Sequence, residues 1–348
     1  MSTSTRFHFL DSLRGFAIVG ILLVNAADIM NLGMNAPIYP HRAVPLAENV
    51  LNYLVATRFV PIFIFMFGMS MGFVIDSAIR RGTPAWKVLL RRLATLLVIG
   101  TLNSILYPGE VLRSYAIGGI ILLPFILKLS RSVRLFLGLL ATVGAYAMTG
   151  GGEAAIPGLF LLGSAAQAYS FPARLEHADR RIGVATLVFA AASAAAILWQ
   201  ATQIGDPRFS TPGGIAGGFM ACLYVCVLAL LWRTPVQRIL STVFEPLGRM
   251  ALTCYVTATF VMVPAGLLLH SRSTQDAVPG LIVAAVVLPA QWILCRLWLS
   301  RFTYGPLEWV WRCITWWRWI PLQRPQSQQP DNQSGPYRYA RLPTTGVM

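Results

Sequence analysis

The chain has 348 residues, 56% of them hydrophobic and only 12% charged, with a positive mean hydropathy. Soluble globular chains carry about a quarter charged residues, so this composition excludes a pair of soluble domains and implies a polytopic membrane protein. The formal charge of +15 reads as a topological signal and not as a nucleic-acid footprint, because no basic patch interleaved with aromatics sits on a soluble module.

Ten apolar segments follow in chain order: 14–30, 59–79, 89–107, 112–128, 133–149, 154–168, 182–200, 214–232, 246–269 and 277–300. Most come near the ~20 residues that cross a bilayer as a helix. Segment 154–168 is short and contains glycine, so it is expected to be re-entrant or tilted. Arg6, the apolar run 16–24 and the small Ala26 and Ala27 imitate a cleavable signal peptide. Asp11 and Arg14 sit directly against that run, and retention as a first membrane helix is expected instead.

The fold class that follows is all-α: a bundle of about ten transmembrane helices, ending in an amphipathic helix at the membrane interface. Residues 1–13 form a cytoplasmic N-terminus, 14–300 the bundle, 301–322 the interfacial helix and 323–348 a disordered cytoplasmic tail rich in proline and glutamine. In the interfacial stretch Pro306 suits a first helical position, and Glu308 and Arg312 are spaced for an i,i+4 pair. Five tryptophans there, flanked by arginines, suit the headgroup layer.

The connecting charges orient the map. With the N-terminus inside, cytoplasmic segments and their helix ends hold 21 of the 28 Lys/Arg residues. The external loops hold five: Arg42, Arg58, Arg113, Arg208 and Arg272. That asymmetry predicts both termini on the cytoplasmic side of the membrane. Gly68 with Gly72, and Gly214 with Gly218, are small-xxx-small spacings that let helices approach closely. Five cysteines, with no metal-ligand spacing among them, predict neither a disulfide framework nor a metal.

Polar residues inside apolar segments are functional candidates, with helix packing as the alternative. Arg14 and Asn25 fall within about 20° of one helical face, roughly 16 Å apart, and Asp11 lies about 60° from Arg14. The stripe is either an interfacial pair plus a packing amide, or the lining of a cavity entered from the cytoplasm. Arg58 either anchors its helix at the headgroups or binds an anionic group. Asn103 lies deep in a helix, while Glu110, Arg113 and Tyr115 surround an external turn. Glu110 and Arg113 form a loop ion pair, or else join Tyr115 in positioning and deprotonating a hydroxyl or amine. Arg249, Thr253 and Thr257 make an i, i+4, i+8 stripe, with threonine back-bonding as the alternative. His8, His41, His177 and His270 all fall outside the apolar spans.

Five collinear blocks carry a resemblance. They are LDSLRGFAIVGILLVN, FIFMFGMSMGF, RRLATLLVIGTLNSILYPGEVLRSYAIGGIILLPF, GRMALTCYV and GPLEWVWRCIT. Together they resemble the YeiB-type family of bacterial membrane proteins, also known as domain of unknown function 418, over residues 6 to 320. That family is distantly similar to transmembrane acyltransferases, which share an LDxxRG-like opening. The resemblance implies an acyl-CoA donor approaching from the cytoplasm and a small-molecule or glycan acceptor, with a histidine as base or nucleophile and arginines holding phosphate or pantetheine groups. The chain departs from the family pattern at Asn103, where a histidine is usual, at Glu110, where an aspartate is usual, and at Cys254, where an asparagine is usual. An amide cannot act as a base, so another group such as Glu110 or His41 would have to serve.

The expectations are therefore specific. Asp11, Arg14 and Arg249 hold the donor, Asn25, Arg58, Asn103 and Thr253 line the cavity, and Glu110, Arg113, Tyr115 and His41 orient or activate the acceptor. The alternatives are a carrier of an amphiphilic metabolite or lipid-linked intermediate, and a non-catalytic scaffold. Membrane lipids are expected partners, nucleic acid is not, and the oligomeric state stays open.

Overall fold

Lipid offers no partner for a backbone N–H or C=O, so so apolar a chain persists in a membrane only as helices or a closed barrel. The protein takes the helical solution in a computed structural model that describes residues 7–32, 46–203, 205–270 and 278–323. Among these residues the only strand-like pairing is an isolated bridge between Phe302 and Gln323.

The helices run α1 (His8–Met30), α2 (Leu46–Val50), α3 (Phe59–Arg80), α4 (Ala85–Leu106), α5 (Leu112–Lys128), α6 (Arg131–Thr149) and α7 (Ile156–Ala168). They continue as α8 (Phe171–His177), α9 (Arg180–Gln200), α10 (Thr211–Leu231), α11 (Gln237–Arg249), α12 (Ala251–Leu268), α13 (Val278–Arg301) and α14 (Pro306–Trp316). Among the described residues, eight helical stretches are long and apolar enough to cross a membrane, or nine if the pair 152–168 and 171–177, bent by 74°, counts as one broken span. The bend falls where the short, glycine-containing segment was expected to be re-entrant or tilted. α5, with 17 residues, stands at the lower limit of spanning length. The expected ten is therefore an approximate count.

One expected span is corrected. Segment 246–269 is two helices, because the chain leaves helical geometry at Met250 (φ −116°, ψ 30°). Arg249 ends α11 while Thr253 lies in the first turn of α12, so the predicted Arg249–Thr253–Thr257 stripe does not lie on one continuous helix.

α1 sits centrally, packed by α3, α11, α12 and α13, and α3 in turn carries α7 and α4. Close approach explains the glycines: a Cβ on Gly68 would collide with the backbone of Phe160, and one on Gly214 with the backbone of Gly150. By contrast α6 and α9 bury few side chains, and Leu140, Leu187 and Leu198 lie 61%, 73% and 72% exposed, a surface suited to lipid. On α12 and α13 the Cys254 and Cys295 thiols stand 3.4 Å apart, and all five cysteines are free.

The helix ends gather at two poles. At one, His8 Nδ1 meets Glu245 Oε2 at 3.1 Å, Arg233 donates to the Ala178 carbonyl, and the Trp311 indole donates to the Arg92 carbonyl at 2.8 Å. At the other, Arg208 pairs with Asp28 and Asp206, and Thr57 Oγ1 donates to the Gly213 carbonyl at 2.8 Å. The first pole holds the basic loops and the start of α1, and is called the basic pole below.

Candidate functional site

Three arginines converge at the basic pole. Arg14 of α1, Arg92 of α4 and Arg249 of α11 line one cavity of about 130 Å³, together with Ser70, Tyr255 and Glu308. Its apolar wall comes from Phe63, Met66, Phe67, Leu96, Leu112 and Leu252. Drug-sized sites enclose about 300–1,000 Å³, so this space fits one charged headgroup with the rest of an amphiphile outside.

Each arginine is held differently. Arg14 Nη1 donates to Asp11 Oδ1 at 3.2 Å, one turn away on the same helix. Arg249 Nη2 donates to the Thr303 carbonyl at 3.1 Å. Arg92 lies with its guanidinium carbon 3.7 Å from the centre of the Trp311 ring, and it feels the positive charges of Arg14 and Arg312. Its Nε is buried without a hydrogen-bond partner. A buried cationic donor left unsatisfied costs free energy, and an anionic oxygen would supply the missing acceptor.

Glu308 comes to the cavity from α14. Its carboxylate accepts from Thr253 N at 2.9 Å and from Thr253 Oγ1 at 2.6 Å. The break at Met250 leaves the first N–H groups of α12 without intrahelical acceptors, and Glu308 caps one of them from another helix. This geometry replaces the expected Glu308–Arg312 pair, since Arg312 lies over the Tyr304 ring. Burial pushes the Glu308 carboxyl above the ordinary range, although the Thr253 hydrogen bonds pull the other way.

Glu110 does the same work at the opposite turn. Its two oxygens accept from the backbone N–H groups of Leu112 and Arg113, the latter at 3.1 Å, and so cap the start of α5. The contact with Arg113 is therefore a backbone hydrogen bond in place of the expected side-chain ion pair. Burial raises the Glu110 carboxyl too. Tyr115 is 1% exposed among the rings of Phe63, Phe67 and Phe160, and its hydroxyl has no partner. Asn103 is equally buried, with both amide atoms unpartnered. Neither lines the cavity.

The remaining candidates disperse. Asn25 is half-buried on α1, away from the cavity. Arg58 is completely buried, so it does not reach headgroups: it donates to Gln200 Oε1 at 2.6 Å, to Thr57 Oγ1 at 2.9 Å and to the Ala56 carbonyl. His41 lies outside the described residues. Of the predicted donor set, Arg14 and Arg249 meet at the cavity, whereas Asp11 touches it only through Arg14. Sequence reasoning missed Arg92, which counted as one more topological charge in a basic loop, and Glu308, which counted as half of a surface pair. Among the described residues no three His, Cys, Asp or Glu side chains gather as a metal-ligand set.

Comparison with known proteins gives the same family. A model of proteins of unknown function, DUF418, matches residues 169–318. A protein of Bacillus acidopullulyticus, described as an uncharacterized 39.9 kDa protein in the amylase 3' region, is 30% identical over 336 residues, covering 91% of this chain and 96% of the relative. The chain belongs to the DUF418 family. Uncharacterized protein YxaH of Bacillus subtilis (strain 168) is 25% identical over 406 residues, covering 92% of this chain and 97% of its own length. No solved structure matches.

In this DUF418 protein the blocks that carry the family resemblance converge in space. LDSLRG brings Arg14, RRLATLL brings Arg92, GRMALT brings Arg249, and GPLEWVWR brings Glu308 and Trp311 to one cavity.

Proposed function

We propose that this DUF418 protein binds an amphiphilic anion at the arginine cavity and transfers an acyl group from an acyl-CoA-type donor to a hydroxyl-bearing small molecule or glycan. The observation that supports the reading is the pairing of three guanidinium groups with an apolar wall, one of them carrying a buried, unsatisfied Nε. A phosphate or carboxylate of the donor meets Arg14, Arg92 and Arg249, and guanidinium forks suit such oxygens better than point charges. Glu308 is the proton acceptor. As the acceptor oxygen bonds to the thioester carbonyl carbon, its proton passes to the Glu308 carboxylate. The carbon–sulfur bond then breaks, and the departing thiolate takes that proton.

We place the basic pole in the cytoplasm of a bacterial inner membrane with both termini there, a reading supported by the loop-by-loop excess of lysine and arginine. Reporter fusions at the C-terminus, active only in the cytoplasm, test it.

Purified protein given labelled acyl-CoA should release CoA, by transfer or slow hydrolysis, and Arg14→Ala and Arg92→Ala should each cut that rate at least about tenfold. No turnover across a broad panel of donors and acceptors, from protein with normal helix content, would overturn the transfer step. A carrier reading has its own support in the buried, unpartnered Asn103 and Tyr115, which sit beyond the cavity among the helices. It predicts flux of an amphiphilic anion in proteoliposomes that acyl-CoA leaves unchanged.

A further inference from the structure

Where α4 and the α3–α4 turn meet α14, a seam of stacked arginine–tryptophan pairs leads from the arginine cavity to the surface of the basic pole. Arg92 lies 3.7 Å from the centre of the Trp311 ring at the cavity wall. Arg91 lies 5.1 Å from the centre of Trp317, and Arg81 lies 4.2 Å from that of Trp316. Arg312 joins the two ends, because its charge acts on both Arg92 and Arg81. We propose that this seam holds the adenosine 3′-phosphate end of a CoA-type donor, with Arg81 and Arg318 on the 3′-phosphate and Trp317 against the adenine. The choice of donor rests on the transfer reading; the seam rests on its own geometry.

The cations at the outer end are open to a phosphate. Arg81, Arg312 and Arg318 are exposed. Among the described residues, none of them, nor Arg91, forms an ion pair with a carboxylate. Arg81 instead feels the positive charges of Arg312, Arg318 and Arg80, and a bound polyanion relieves that repulsion. A guanidinium stacked on a ring keeps its N–H edge turned outward, where phosphate oxygens can accept from it.

Size divides the ligand. The cavity of about 130 Å³ takes one charged group, so a donor whose diphosphate meets Arg14 and Arg92 must leave its nucleoside outside. Trp317 and Trp319, 72% and 80% exposed, offer ring faces there, and a base stacks on an aromatic face through its π-system. Arg91 lies over one side of Trp317, which leaves the other to the adenine. A phospholipid headgroup brings one phosphate and no base, and would leave most of the seam unmatched.

Calorimetric binding of CoA and of dephospho-CoA, which lacks the 3′-phosphate, to the full-length protein in phosphatidylcholine nanodiscs tests the seam. The parent should bind CoA about tenfold more tightly, the worth of a hydrogen bond to a charged group. Arg81→Gln combined with Arg318→Gln should abolish that preference and keep the parent's affinity for dephospho-CoA, which also shows the variant folded. Trp317→Leu should weaken both ligands at least about fivefold. Equal affinity of the parent for the two ligands would overturn the proposal. So would a preference that persists in the double variant, or parent-strength binding by Trp317→Leu. Loss of the preference on adding phosphatidylglycerol would overturn it too, by assigning the seam to lipid headgroups. Binding with the preference but without acyl turnover would uphold the seam and overturn only the transfer step. Turnover of acyl-CoA without the preference would do the reverse, and no binding of either ligand would overturn both.

Discussion

Gly15 of α1 and Gly248 of α11 face each other so closely that neither tolerates a Cβ. A methyl on Gly15 would run into the Phe244 carbonyl, and one on Gly248 into the Asp11 carbonyl. The glycine of LDSLRG and the glycine of GRMALT are thus two halves of one helix crossing, and that crossing sets Arg14 and Arg249 around one cavity.

Gly248→Ala should therefore destabilise the protein by about 1–3 kcal/mol, the usual cost of overpacking, or more, because the obstacle is backbone. Gly82, where a Cβ meets nothing within 4 Å, supplies a comparison, although its φ of +62° carries a strain of its own. Thermal midpoints in detergent check this, and a Gly248→Ala midpoint equal to the parent's would show that the two helices separate at little cost.

The two capping carboxylates should part company under mutation. Glu110→Ala removes the acceptor for two backbone N–H groups at the start of α5 and should cost about 1–2 kcal/mol of stability, with turnover per folded molecule within about twofold. Glu308→Gln keeps an acceptor for Thr253 but cannot take a proton, so it should lose turnover while keeping most of its stability. Loss of turnover in Glu110→Ala, with Glu308→Gln active, would reverse the assignment.

Stability should fall as pH rises from the ordinary carboxylate range toward neutrality. Burial raises both Glu110 and Glu308 in the folded chain, whereas an unfolded glutamate titrates near ~4.3. Between those values the folded state holds more protons than the unfolded state, so each pH increment favours unfolding. The contribution is complete below the unfolded value and lost through the raised one. Thermal midpoints from about pH 4 to about pH 8 should slope downward, and Glu308→Gln should flatten the slope. An unchanged slope in that variant would remove Glu308 from the account.

Hydropathy made the helical segments legible, because a chain in lipid has almost no alternative to long apolar helices. It failed at Met250, where residues on both sides are apolar enough to read as one span and only the backbone records the break. At Arg58 the sequence left a headgroup anchor and an anion-binding group both open, because a charge beside an apolar run carries no record of its partners, and Gln200 Oε1, Thr57 Oγ1 and the Ala56 carbonyl let it be buried whole.

Composition and periodicity, both local along the chain, were enough for a membrane bundle with a basic and a less basic pole. The contents of the cavity are not local. Arg14, Arg92, Arg249 and Glu308 span most of the sequence, and each has a bland local reading as a topological charge or a surface pair. Packing decided among them, through the Gly15–Gly248 crossing and through α14, whose Trp311 carries Arg92 and whose Glu308 caps the helix that begins after Met250. Side-chain partners across helices depend on crossing geometry, and a linear pattern carries no record of it.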